Sequence, residues 1–267
     1  MCAPERAWAR TDGRVLGNRF DLEVDGDEYL IDIAIDRLRR IEAALSRLLP
    51  MSELNRLNAR PGQDVPVSDD LGWALREAIR LHRATGGRYD PSILPALDAL
   101  GVTISDEGTA RLAHGTRLDL SGLECGYAVD RVVEDLVKAG AGAVRCRVGD
   151  SFRAVDPNGW NIEIKHPAPD EVVTHHTLGM STSGNDALAS VLSPRISRNA
   201  RTPLSGQTDP STVVRLAVVS CAEAVDAQAL AEAAVASSPS AANAMMSRAN
   251  VSAWLLTPIG VVIVRPD

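Results

Sequence analysis

A chain of 267 residues can bury a substantial core, and 45% hydrophobic with 24% charged residues is ordinary for a globular protein. The formal net charge of −7 argues against a dedicated nucleic-acid binder, whose phosphate contacts need clustered Lys and Arg. Four scattered cysteines, Cys2, Cys125, Cys146 and Cys221, form no C-x-x-C pair, which argues against a disulfide framework or a structural zinc site and for reduced thiols in the cytoplasm.

The N-terminal residues carry no apolar run of signal-peptide length, and no later segment approaches a membrane span, so no membrane insertion is expected. Residues 14–24 alternate roughly between apolar and polar around Gly17, which predicts a strand with a tight bend. Ile31, Ala34, Leu38, Ile41, Leu45 and Leu48 recur at three- and four-residue steps, the apolar stripe of a helix packed on a sheet. Ser52 can cap a short helix within residues 51–58, and residues 61–66 read as a loop. Ser68-Asp69 opens a helix that runs towards Thr85 and stops at Gly86-Gly87, and Asp90-Pro91-Ser92 starts a helical or turn segment through residue 101.

Leu118 to Asp130 reads L-D-L-S-G-L-E-C-G-Y-A-V-D. A short apolar run breaks at Ser121-Gly122, turns through Glu124, Cys125 and Gly126, and enters a helix over residues 127–139 that Gly140 closes. A strand, a glycine-bearing turn and a helix N-terminus in that order offer backbone N–H groups and a positive dipole end to an anion. A cysteine at such a terminus is placed for a lowered thiol pKa and some reactivity. Strands are predicted at 143–148, 152–155, 160–165 and 172–182, with His175 and His176 mid-strand and His166 in a loop, solvated or packed rather than catalytic. Residues 194–210 are polar and irregular; a strand at 213–220, helices at 224–236 and 240–249, and paired strands at 251–256 and 260–264 follow. The interleaving has no βαβ rhythm, no repeat and no linker. The expected class is α+β: one domain over residues 1–267, with antiparallel or mixed sheets flanked by helices.

Five segments in order resemble one family. Residues 52–58, S-E-L-N-R-L-N, look like the S-E-[LI]-S-R-L-N of ApbE-type proteins, the FAD:protein FMN transferases. Residues 85–92, T-G-G-R-Y-D-P-S, resemble their T-G-G-x-F-D-P-[TS], and residues 118–130 resemble L-D-L-G-G-I-A-K-G-Y-A-V-D. Thr182-Ser183-Gly184 matches T-S-G, and Val225-Asp226-Ala227 matches the start of A-D-A-x-x-T. The resemblance implies a single ApbE-like domain that uses FAD and Mg²⁺ and moves the FMN half of FAD onto a Thr or Ser of an acceptor protein, releasing AMP. Carried over residue by residue, it implies contacts to the flavin nucleotide from Ser52, Tyr89, Gly122, Glu124, Cys125, Gly126, Asp130, Thr182, Ser183 and Gly184. It further implies metal ligation by the backbone carbonyl at Glu124 and by Asp226, while Asn55, Asn58 and Tyr89 either line a ring pocket or serve capping and core packing.

The pattern is broken at specific positions. The family's turn Lys is Cys125, and its metal-binding Thr is Leu230. Its H-x-x-D-P-R-T-G segment aligns at residues 196–203, where Arg201 and Thr202 match but the His and Asp do not, so no catalytic residue is assigned. Val148-Gly149-Asp150 keeps the Asp of the family's G-G-D. Two readings therefore stand: a transferase with reduced or lost activity, and an inactive FAD- or FMN-binding protein or scaffold of the same fold.

Overall fold

A computed structural model describes residues 8–93, 101–167, 175–182, 185–192, 214–257 and 259–266. The chain opens with a hairpin, β1 (Trp8–Val15) antiparallel to β2 (Asn18–Asp25), with Val15 opposite Asn18. Only Leu16 and Gly17 lie between them, with φ of 54° and 76°, the left-handed pair of a turn whose twist suits a hairpin. The single bent strand expected over residues 14–24 is thus two strands, because two successive left-handed residues reverse the chain.

Helix α1 (Tyr29–Leu45) buries Leu30, Ala34, Leu38, Ile41, Ala44 and Leu45. Leu48, which prolongs the stripe in sequence, lies beyond the helix and is 53% exposed. Helices α2 (Glu53–Asn58) and α3 (Asp69–Ala84) start behind Ser52 and Ser68, whose hydroxyls accept the N–H groups of Asn55 at 3.1 Å and Leu71 at 3.4 Å. Strands β3 (Val65–Pro66), β4 (Val102–Ile104) and β5 (Thr109–Leu112) form a small sheet in the order β3-β5-β4. Runs this short cannot display an alternation, so the loop expected at 61–66 conceals β3.

Helix α4 (Glu124–Lys138) begins three residues earlier than expected. There follow β6 (Ala143–Val148), β7 (Ser151–Val155), β8 (Trp160–Pro167), β9 (His175–Thr182) and β10 (Asn185–Leu192). The chain then forms β11 (Leu216–Cys221), α5 (Ala224–Val235), α6 (Pro239–Ala249), β12 (Ser252–Thr257) and β13 (Gly260–Val264). The main sheet has the order β1-β2-β6-β7-β10-β11-β12-β13 with antiparallel neighbours throughout, and β8 pairs with β9 separately. The class is α+β, as expected.

The two-residue period of the strands divides the main sheet's side chains. Ala187, Ala189, Ala217, Val219, Ala253 and Leu255 join the core under the helices, while Leu188, Leu216, Val218 and Leu256 form a smaller cluster with Phe152 and Trp254. Strand β10 escapes sequence reading because its core-facing positions are Ala, which mark no stripe. The same small residues let α5, itself rich in alanine and buried along nearly its whole length, lie against β10, β11 and α4 at once. Among the described residues, no helix is long and apolar enough to cross a membrane.

Candidate functional site

Side chains of one family-like segment act as backbone partners for another. Asn58 Nδ2 donates to the Leu118 carbonyl at 2.9 Å and its Oδ1 accepts the Leu118 N–H at 2.8 Å, so it pairs with residue 118 as a neighbouring strand would. Asn55 Nδ2 donates to the carbonyls of Arg47 at 3.0 Å and Leu49 at 2.7 Å. In the structure both asparagines tether backbone, Asn55 within its own neighbourhood and Asn58 across 60 residues of chain. Thr85 Oγ1 donates to the Leu81 carbonyl at 2.8 Å and accepts the Tyr89 N–H at 3.0 Å, which holds the Gly86-Gly87 turn against α3. Asp119 N–H then donates to the Pro91 carbonyl at 2.8 Å, beside a bridge between Ser92 and Leu118. Segments 52–58, 85–92 and 118–130 are thereby brought to one place.

Helix α5 joins them through Gln228, whose Oε1 accepts the Gly126 N–H at 2.7 Å and whose Nε2 donates to the Ser121 carbonyl at 2.9 Å. Gly126 is where the two helices meet most closely: a Cβ there would stand 2.4 Å from the Ala224 oxygen and 2.7 Å from Val225 Cα. Asp130, one turn further along α4, is fully buried. Its two oxygens accept the N–H groups of Ala224 and Val225 at 2.9 Å each, capping α5, and Arg153 Nη1 lies 2.8 Å from Oδ1. Burial pushes the Asp130 carboxyl up to about 6, although Arg153 and the two backbone donors pull the other way.

The anion cradle expected at the start of α4 is largely filled by the protein itself. Ser121 N–H donates to Asp119 Oδ1 at 3.0 Å, Leu123 and Glu124 N–H to the Leu120 carbonyl at 2.9 Å each, and Gly126 N–H to Gln228. Ser52, likewise expected at the nucleotide, spends its hydroxyl on capping α2. The lowered thiol pKa expected of Cys125 is reversed. Burial, with Glu124 adding to it, raises the thiol well above its ordinary value, and the Cys125 sulfur instead accepts from Asn18 Nδ2 at 3.3 Å.

Around this junction lies a nest of acids. Gly122 lets Tyr89 and Glu232 approach: a Cβ there would be 3.0 Å from Tyr89 Cε2 and 3.5 Å from Glu232 Cγ. The buried Tyr89 hydroxyl and Glu124 Oε2 have no hydrogen-bond partner among the described residues. Burial, reinforced by Asp119, pushes Glu124 up to about 8 against the opposing Arg47, and pushes Glu232 up to about 7. Tyr89 is raised well above its ordinary value by burial and then by Glu232, Asp119 and Glu124. Arg47 pairs with Asp119 at 3.2 Å. Below about pH 7, these shifts leave carboxyls and a phenol that can donate hydrogen bonds to a ligand's polar edge.

The two residues expected at a metal are differently placed. Asp226 lies in the first turn of α5 and its Oδ1 accepts from Arg80 Nη2 of α3, while Arg80 Nε donates to Glu77. Burial disfavours the Arg80 charge, but the two carboxylates outweigh it and raise its pKa. One turn beyond Asp226 on the same face stands Leu230, 7% exposed and without a donor atom. Glu124 is the first residue of α4, so its carbonyl already serves the helical ladder. Among the described residues, no group of three or more His, Cys, Asp or Glu is placed to hold a metal ion, and the donors here do not fit a divalent cation. Thr182 ends β9 opposite Trp160; Ser183, Gly184 and residues 196–203 lie outside the described residues, and His166 and His176 face each other in the β8–β9 register.

Sequence reasoning missed Gln228, Glu232, Arg80 and Arg47. The first two had a readable mark: polar residues four apart in an otherwise alanine-rich helix share one face. Arg80 comes from α3 and Arg47 from the bend after α1, and neither carries a local mark.

A family model described as the ApbE family matches residues 16–255. The FAD:protein FMN transferase of Haemophilus influenzae is 25% identical over 191 residues, covering 55% of this chain and 55% of that protein, so the chain spans about half the length of this curated relative. The apo crystal structure of the Pseudomonas stutzeri flavinyl transferase ApbE is similar with a TM-score of 0.80 at 18% identity, over 100% of this chain and 97% of that one. The flavin transferase ApbE of Vibrio cholerae gives 0.77 at 18% identity, over 98% of each chain. The ApbE protein of Thermotoga maritima gives 0.76 at 17% identity, over 98% of this chain and 97% of that one. At these identities the structural likeness establishes a shared fold.

Proposed function

The chain belongs to the ApbE family, and on that premise we propose that it works as one domain that binds FAD and passes its FMN half to a Thr or Ser of an acceptor protein. The acceptor's hydroxyl oxygen bonds to the FMN-side phosphorus, the bond from that phosphorus to the AMP phosphate oxygen breaks, and AMP leaves while the hydroxyl proton passes to water. The observation that carries this reading is the convergence of segments 52–58, 85–92, 118–130 and α5 on one junction. Two buried polar atoms, Tyr89 OH and Glu124 Oε2, stand there without a partner among the described residues. Tyr89, Gly122, Glu124 and Thr182-Ser183-Gly184 are the residues assigned to the nucleotide. Asp130 and Gly126 serve it indirectly, by fixing α5 against α4. The Mg²⁺ implied by the resemblance finds only Asp226 on α5, and no step is routed through it. Cys125, Cys146 and Cys221 are free thiols, which supports a reducing, cytoplasmic setting.

A second reading, an FAD-binding protein without transfer, is favoured by Cys125 and Leu230 at the family's Lys and Thr positions. The purified chain incubated with FAD and an FMN-acceptor domain decides between them. Covalent flavin fluorescence on the acceptor with stoichiometric AMP release is the expected result; FAD binding without either product establishes the second reading.

A further inference from the structure

We propose that Arg80 is the built-in cation of this site, standing against Asp226 where a divalent ion would have to sit, so that the phosphates of a flavin nucleotide are bound without a metal at Asp226. The inference rests on the flavin-nucleotide reading above. Arg80 reaches across from α3, and its guanidinium is held from two sides, through Nη2 to Asp226 and through Nε to Glu77. Among the described residues no acceptor stands at Nη1, and the side chain is 48% exposed, so this end of the fork is open to a phosphate oxygen.

The donor set points the same way. Mg²⁺ demands near-octahedral oxygen coordination and gives up its waters reluctantly, so a protein usually offers it one or two carboxylates beside substrate phosphates. Here the carboxylate is engaged by Arg80, and the side chain one turn beyond it is Leu230, whose hydrocarbon offers no oxygen. A guanidinium stays charged at every accessible pH and needs no ligand shell. The ion pair is partly exposed, and such pairs add little to fold stability, so its use lies in holding charge at this spot.

Mn²⁺ titration of the full chain, followed by the electron paramagnetic resonance of free Mn²⁺ with and without FAD, tests the proposal. FAD affinity is measured alongside by quenching of flavin fluorescence, in EDTA and in Mg²⁺. The wild type is expected to take up no stoichiometric Mn²⁺, and its FAD Kd is expected to agree within about twofold between EDTA and Mg²⁺. Arg80→Gln is expected to weaken FAD binding in EDTA by about tenfold, and Arg80→Lys by less, because the cation is kept but the fork is lost. Mn²⁺ bound one to one by the wild type and lost in Asp226→Asn overturns the proposal, a result that needs no Arg80 variant to fold. Absence of FAD binding in both buffers removes the flavin reading instead, and the Mn²⁺ titration still decides between Arg80 and a metal at Asp226.

Discussion

At Glu124, loss of water outweighs the nearby guanidinium of Arg47, and the carboxyl keeps its proton to about pH 8 instead of the ordinary 4.5. The folded state therefore holds a proton that the unfolded chain has released across that interval. The stability tied to this group is fully present below 4.5 and is lost as pH rises through 8, with Glu232 at about 7 and Asp130 at about 6 acting in the same sense. Glu124→Gln cannot ionise, so its stability relative to the wild type should rise from about pH 5 to about pH 8, by up to a few kcal/mol in order of magnitude. Thermal melts of both proteins at the two pH values check this, and a constant or shrinking gap contradicts it. The residue scale also marks where sequence reading stops. Glu124 and Cys125 were visible as turn residues, but the direction of their titration depends first on burial, which the turn's own sequence does not supply, and then on nearby carboxylates, Asp119 for Glu124, and Glu124 and Glu232 for Cys125.

At the scale of elements, the α4–α5 contact decides the geometry of the junction. Gly126→Ala would drive a methyl into the backbone of Ala224 and Val225 at 2.4–2.7 Å. Neither helix can yield freely, because Gln228 and Asp130 tie their ends together. A loss of about 1–3 kcal/mol is expected, read as a lower urea midpoint with an unchanged slope. A midpoint equal to that of the wild type would show that the helices separate without cost. What was legible at this scale was local. The caps at Ser52 and Ser68 bind N–H groups three residues on, and the stripe of α1 needs only its own period. The start of α4 was misplaced because a helical glycine reads as a turn until a second helix is seen to require it.

At the scale of the molecule, the larger of two apolar clusters runs from Phe20, Leu22 and the α1 face through α4 and α5 to Val219 and Leu255. Among the described residues this continuity supports the proposal that the chain unfolds as one unit. Urea unfolding followed by tryptophan fluorescence and by far-ultraviolet circular dichroism should give one coincident transition; two resolved transitions would overturn the one-domain proposal. The amino-acid sequence by itself determined the helices, the strands other than β1, β3 to β5 and β10, the α+β class and the order of the family's segments, since these can be read within a few neighbouring residues. Only the tertiary structure decided that Asn58 joins residue 118, that Gln228 closes the α4 terminus, that Cys125 is buried with its thiol pKa raised, and that Arg80 stands on Asp226. Each of these joins residues far apart in the chain, and burial and charge pairing at such distances are set by how the elements pack.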